Sequence, residues 1–285
     1  MSAAAEQLPA RPGPGALTRV WRFTRHQVLT VYALLAFAYL LVPIAIVVLF
    51  SFNNPAGRFN YVWQGFTLDN WKNWDGVPGM RSALELSLEI AALSSLGATL
   101  LGTLIALALV RYGFRGRGAT NLLIFLPMSS PEIVLGASLL TLFLTISVLK
   151  LGFWTIFIAH VMFCISYVVV TVKARLIGFD RHLEEAAMDL GANELVTFQK
   201  VTLPLIAPAI LAGALLSFAL SIDDFVITNF VAGNNVTFPL FVWGAARVGA
   251  PPQVNVIGTA IFAVAVLGML ANVLVQMRRS KGANT

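Results

Sequence analysis

The stretch EEAAMDLGANELVTFQKVTLP, residues 184–204, lies within a polar segment, Lys173–Pro204, that separates two apolar runs, Phe153–Val172 and Leu205–Ile227. Asp180 stands where it can cap a short helix, and Glu184 and Glu185 fall near that helix's positive N-terminal end. Gly191 permits a sharp break at which a Cβ would clash. A second short helix, about Ala192–Lys200, then presents Leu195, Val196 and Phe198, and Pro204 suits the first turn of the next long helix. The spacing predicts a helix–turn–helix knob with small alanines at its tip. Small residues let another protein's backbone approach closely. The plain alternative is an amphipathic surface loop.

The neighbouring sequence repeats the same apolar–polar alternation. The runs are roughly Val28–Phe50, Leu84–Val110, Ala119–Leu144, Phe153–Val172, Leu205–Ile227 and Val256–Met277. Each approaches or exceeds the roughly 20 residues that cross about 30 Å of hydrocarbon at about 1.5 Å per residue. The 285 residues are 58% hydrophobic and 11% charged, whereas soluble domains carry about 25% charged residues. So few charges cannot cover a water-soluble surface of this length. Membrane β-strands would alternate, and these runs do not. No internal repeat is visible, so an inverted-repeat carrier fold is not indicated. The expected fold is an all-α, six-span membrane domain over residues 28–277, with tails at 1–27 and 278–285. The first tail does not read as a cleaved signal peptide, because the apolar run after it is too long.

Lysine and arginine set the orientation. With a cytoplasmic N-terminus, the cytoplasmic segments carry Arg11, Arg19, Arg22, Arg25, Arg111, Arg115, Arg117, Lys173, Arg175, Arg181, Lys200, Arg278, Arg279 and Lys281. The other side carries only Arg58, Lys72, Arg81, Lys150 and Arg247. This positive-inside bias puts both termini and the 173–204 segment in the cytoplasm. Trp63, Trp71 and Trp74 then fall outside, as an interfacial belt or a short surface helix. The net charge of +6 does not indicate nucleic acid, since the basic residues sit in short tracts between apolar runs.

Catalytic and metal chemistry find no support in the sequence. His26, His160 and His182 are far apart, and Cys164 is a single cysteine within an apolar run. No nucleophile–base spacing lies in the helices, so no catalytic residue and no metal ligand is assigned. His160 reads as a packed or hydrogen-bonded residue. Acids in apolar runs are another matter, because charges in a membrane are costly and mark function by default. Asp223 and Asp224 lie about 27 Å along the fifth run, in the outer half of the bilayer. Helical neighbours diverge by about 100°, so one acid can face a translocation path and the other a helix. The alternative for the pair is a structural role, capping or pairing with Arg247. Glu132 follows Pro127 and Pro131, which break the third run. It lines a path or satisfies backbone freed by the prolines.

Glu185-Ala186-Ala187, three residues, Gly191, nine residues, then Val201-Thr202-Leu203-Pro204 resembles the EAA signature of permease subunits of bacterial ABC importers. The one departure is Val201, where isoleucine is usual. Ser51-Phe52-Asn53-Asn54, Phe66–Trp71, Ser217–Asp224 and Pro239–Asn255 look like the spermidine/putrescine branch, and the resemblance runs from Val28 to Met277. It implies a type I importer permease in a bacterial inner membrane. It implies that 173–204 is the coupling loop, with Glu184, Glu185, Ala186, Ala187, Gly191, Leu203 and Pro204 at the ATPase-docking surface. It implies as partners an ATP-binding subunit dimer, a second homologous permease and an extracytoplasmic solute-binding protein. ATP and Mg would be used by the ATPase subunit, in keeping with the absence of a phosphate-loop motif here. Asp223, Asp224 and Glu132 become candidates for contact with a cationic solute, and outer aromatic residues could add cation–π contacts. The rival readings are a permease for another small solute and an ion-coupled carrier with Glu132 and Asp223 as its ion sites.

Overall fold

The computed structural model describes residues 16–57, 59–146 and 149–282. Residues 1–15 and 283–285 of the expected tails lie outside it. The elements run α1 Ala16–Phe50, α2 Asp69–Lys72, α3 Met80–Arg111, α4 Arg117–Ser129, α5 Glu132–Ile146 and α6 Phe153–Ile177. They continue as α7 His182–Asp189, α8 Glu194–Thr197, α9 Leu203–Ile222, α10 Val226–Val231, α11 Phe238–Val248 and α12 Pro252–Gly282. Among the described residues the only β-type pairing is an isolated bridge between Asn53 and Phe66.

Among the described residues five helical stretches are long and apolar enough to cross a membrane: Gln27–Phe50, Met80–Arg111, Phe153–Ile177, Glu194–Ile222 and Pro252–Ala271. The third expected run is a broken pair, α4 and α5, bent by 111°. The break sits at Ser130-Pro131. Ser130 is extended at ψ 139°, the conformation that a following proline enforces. Pro127 is accommodated inside α4. α1 begins at Ala16, so helix extends into the segment read from sequence as a tail. The fifth run stops as a helix at Ile222 rather than Ile227, and α10 restarts after Asp223-Asp224-Phe225.

The chain forms two compact units, residues 1–74 with 251–285 and residues 75–250. In the first, α1 packs on α12, and α12 on α2. The loop after α1 is built around asparagine. Asn53, fully buried, donates to Asn60 Oδ1 at 2.6 Å and to the Val62 carbonyl at 2.8 Å. Its Oδ1 accepts from the Gln64 N–H at 2.8 Å. Asn70 donates to the Ser51 and Asn53 carbonyls at 3.1 and 2.7 Å. Phe52 stacks between Phe66 and Trp71. Amide side chains thus take over backbone groups that no regular element satisfies.

In the second unit α3, α6 and α9 form the core. Their buried faces carry small residues: Ala91, Ala98, Gly102 and Ala106 on α3, and Gly213 and Ser217 on α9. Val168 of α6 sits between two glycines. A Cβ on Gly102 would fall 2.8 Å from the Val168 side chain, and one on Gly213 would fall 3.4 Å from it. Small residues at close crossings are how membrane helices gain contact without a hydrophobic drive between them. Large side chains also point outward, as with Leu96, Leu100 and Leu104 along one stripe of α3, while Ile90, Ile156, Phe163 and Ile206 are buried. An outer leucine stripe is the opposite of the polar outer face of a water-soluble helix.

Candidate functional site

Two places carry clustered polar chemistry, the knob after α6 and the break between α9 and α10. In the knob, the Asp180 carboxylate accepts from the His182 N–H at 3.0 Å and secures the start of α7. The end of α7 is closed by two backbone bonds, Gly191 N–H to the Met188 carbonyl at 2.9 Å and Ala192 N–H to the Ala187 carbonyl at 3.1 Å. This is the Schellman arrangement, which needs a left-handed residue at its turn. Gly191 supplies it with φ +91°, although a Cβ there would meet nothing within 4 Å. The requirement is therefore conformational and not one of space. Asn193 caps α8, accepting from the Val196 N–H at 2.9 Å. A wide π-turn, Phe198–Thr202, leads into α9, whose first turn contains Pro204.

The two glutamates of the knob have different surroundings. Glu184 is 7% exposed. It forms a two-pronged ion pair with the Arg111 guanidinium and accepts from the Thr202 hydroxyl. Arg111 also lies over the Phe179 ring, 5.7 Å from its centre. The guanidinium beside it, ahead of the Thr202 bond, holds the Glu184 carboxyl below the usual carboxylate range, against the opposing effect of burial. Glu185 is exposed and faces His182 at 3.1 Å. Hydrogen bonding to Glu185, with the nearby Asp180 charge, raises the His182 imidazole above its usual value.

Glu184 therefore faces inward and binds the end of α3 to the start of α9. The outward face of the knob consists of Glu185, Ala186, Met188, Leu190 and Leu195, with Leu190 90% exposed. Ala187 is half-buried, and Leu203 and Pro204 are exposed at the base. Arg181 donates to the Val110 carbonyl at 3.3 Å, and Arg175 to the Leu205 carbonyl at 3.2 Å. A cleft of 760 Å³ lined by Leu107, Arg111, Arg181, Glu184, Met188 and Leu195 runs between α3 and the knob.

At the α9–α10 break, Asp224 accepts from the Thr228 N–H at 2.8 Å, the Thr228 hydroxyl at 2.7 Å and the Ile227 N–H at 3.3 Å. His160 Nε2 lies 3.3 Å from the same carboxylate. Asp223 is exposed. The structural alternative read from sequence thus describes Asp224, but with the His160 imidazole as its partner in place of Arg247. Arg247 lies over the Trp243 ring at 4.9 Å. Glu132 is exposed at the start of α5, where the helix dipole favours an acid. One turn on, Gly136 receives Phe230 of α10 so closely that a Cβ would collide with the ring at 2.5 Å. Among the described residues no ion pair or hydrogen bond joins Glu132 to Asp223 or Asp224. The sequence reading did not foresee Arg111, Thr202, Ser221 or Thr228 as partners. Their one local signal was polarity at the edge or in the middle of an apolar run.

The family described as "Binding-protein-dependent transport system inner membrane component" matches residues 98–279. The chain is 41% identical over 247 residues to the spermidine/putrescine transport system permease protein PotC of Escherichia coli (strain K12), covering 86% of this chain and 92% of that one. It is 41% identical over 249 residues to the putrescine transport system permease protein PotI of the same organism, covering 85% and 88%. A chain of a bacterial ABC transporter that imports the acidic polysaccharide alginate shares the fold, with TM-score 0.62 and 18% identity over 93% of this chain and 99% of that one.

Proposed function

The chain belongs to the binding-protein-dependent inner-membrane transport components, the permease subunits of ABC importers, and from that premise we propose that it carries a polyamine such as putrescine or spermidine. The relatives named above are polyamine permeases. The observation that carries the substrate class is acidity at the break between two apolar helices, where Asp223 is exposed beside Asp224. Carboxylates in a low-dielectric path attract ammonium groups and repel anions. Asp223, Asp224 and Glu132 form the proposed substrate path.

The knob at 182–202 is the proposed docking element for one subunit of an ATPase dimer. Leu190, Met188 and Leu195 offer apolar contact, and Ala186 allows close approach. A second homologous permease and an extracytoplasmic binding protein complete the proposed assembly. Both termini and the knob are placed in the cytoplasm by the arginine and lysine bias. ATP and Mg are used by the partner, and this chain binds no cofactor in the proposal.

The geometry suggests how closure of the ATPases is transmitted. Arg111–Glu184–Thr202 and Arg181–Val110 tie the knob to the end of α3 and the base of α9. Displacing the knob then moves both helices together. Nucleotide and binding protein can drive the cycle only through different affinities for its inward and outward states. The test is uptake of radiolabelled solutes by the reconstituted complex. Putrescine and spermidine should accumulate with ATP, while an anionic sugar should not. Equal uptake of the anion would overturn the substrate class.

A further inference from the structure

Around the α9–α10 break, a chain of buried polar side chains joins four helices. Ser94 of α3 lies 2.9 Å from Ser221 of α9. Ser221 lies 2.7 Å from His160 Nδ1 on α6. His160 Nε2 lies 2.9 Å from the Thr228 hydroxyl of α10 and 3.3 Å from Asp224. Ser94, His160, Ser221 and Thr228 are all at most 5% exposed. Polar groups buried this deeply are costly unless each is partnered.

The bonds fix the direction of donation at one end. Thr228 Oγ gives its proton to Asp224 Oδ2, so towards His160 it can only accept. An ionised Asp224 also only accepts. His160 Nε2 therefore faces two acceptors and must carry the proton. The Asp224 carboxylate then receives donors from the Thr228 N–H, the Thr228 hydroxyl, the Ile227 N–H and His160. Its side chain is 6% exposed. Three of these contacts fall on Oδ2 and the group is buried, so it is far less open to a passing ammonium group than its neighbour. Asp223, one residue away, is exposed, and among the described residues no ion pair engages it.

We infer that the two aspartates divide the work: Asp223 meets the cationic substrate, and His160, acting through Asp224, is the positioning residue that holds it there. The inference rests on the polyamine reading above. The linker Asp223-Asp224-Phe225 lies outside both helices, and its Phe225 carbonyl accepts from the Asn229 N–H of α10 at 2.9 Å. Its side-chain anchor is Asp224, which meets His160 of α6 and Thr228 of α10. Loss of the His160 Nε2–H frees the linker and moves Asp223 without removing any group that touches the substrate.

The test is putrescine uptake by the assembled, reconstituted complex. An asparagine at 160 reaches the Ser221 side of the ring but not Asp224, while a glutamine reaches the Nε2 position. His160→Asn should raise the putrescine KM about tenfold, the scale of a lost buried hydrogen bond to a charged group, with a smaller change in maximal rate. His160→Gln should restore most of it. In an Asp223→Asn background His160→Asn should add less than about twofold, since the acid it positions is gone. A purely structural histidine would give multiplying effects instead, and that result overturns the inference. A wild-type KM for His160→Asn beside a defective Asp223→Asn overturns the positioning role alone. A wild-type KM for Asp223→Asn overturns the underlying substrate contact. If Asp223→Asn transports too slowly to titrate, the contrast between Asn and Gln at 160 decides alone.

Discussion

Glu184-Glu185 in the knob and Asp223-Asp224 at the α9–α10 break are both pairs of adjacent acids, and the structure splits each pair in the same way. One acid is buried against a group from another helix: the Arg111 guanidinium for Glu184 and the His160 imidazole for Asp224. The other is exposed. Burial of an unpartnered charge is prohibitive, so the inward acid must find a cation or a set of hydrogen-bond donors. Its neighbour is thereby held in a defined place with its charge still available. In each case the tied residue fixes where the free one stands. The regions differ in setting, since Glu185 already contacts His182 at the knob surface, while Asp223 has no ion-pair partner among the described residues.

The largest effect expected from this comparison is at the tied acid of the knob. Arg111→Leu leaves Glu184 buried without its cation and should cost about 3 kcal/mol of stability. A thermal unfolding scan on purified protein should show a clear drop, whereas Glu185→Gln should stay within about 0.5 kcal/mol of the parent. Equal destabilisation by the two substitutions would erase the distinction. For binding, the order reverses. Glu185→Lys should weaken co-purification of the ATPase subunit in protein that still inserts and unfolds normally. Retention of both normal ATPase recovery and normal uptake would remove Glu185 from the docking surface.

At the break, Asp223→Glu should keep uptake within a few-fold, because an exposed acid tolerates one more methylene. Asp224→Glu must fit the same methylene among four donors in a buried site, and should lose about tenfold or more in putrescine KM. The reverse order would assign the substrate contact to Asp224. Next in size is Gly191→Ala. A side chain at φ +91° costs about 1 kcal/mol, and should show as a few-fold loss of ATPase affinity with the membrane helices intact. Unchanged affinity would mean that the Schellman turn does not set the docking geometry.

The smallest effects are those of pH, and they run in opposite senses for two knob groups, Glu184 and His182. The folded Glu184 carboxyl titrates below its usual 4.5. Its contribution is therefore complete above that unfolded value and is lost as pH falls through the lower folded value. Stability should decline at acid pH, and less so in Glu184→Gln with Arg111→Leu. The exposed His182 is raised above its usual 6.5. Its contribution to the contact with Glu185 is complete below that value and fades as pH rises through the folded one. Titration of His182 by NMR should show the raised midpoint, and Glu185→Gln should lower it.

Much of this was legible in the residues. The apolar runs located every span, because a helix in lipid must be apolar over a length set by the bilayer. Asp180 and Pro204 act as the sequence suggested, since capping and first-turn proline are local properties of the chain. Gly191 makes the expected break, but through its left-handed backbone and not through a Cβ clash, because a Cβ there would meet nothing within 4 Å. The third run read as broken at its prolines, but the 111° turn depends on how α5 packs on α10, through Gly136 and Phe230. His160 read as a bonded core residue, yet nothing nearby in sequence named its partners. The asparagines after α1 were read as part of an external loop, and their buried amide network emerges only when Asn53, Asn60 and Asn70 are brought together.

Sequence by itself determined that the chain is a set of membrane helices with a capped knob between two of them, because hydropathy, helix signals and turn chemistry act over a few residues. Tertiary structure alone decided which member of each acidic pair is tied and which is free. The partners are 73 residues apart for Arg111 and Glu184, and His160 reaches Asp224 from α6, with α7, α8 and α9 between them in the chain. The energy that selects the buried acid is the desolvation of a charge offset by a donor on a distant helix. That choice exists only once the helices have packed.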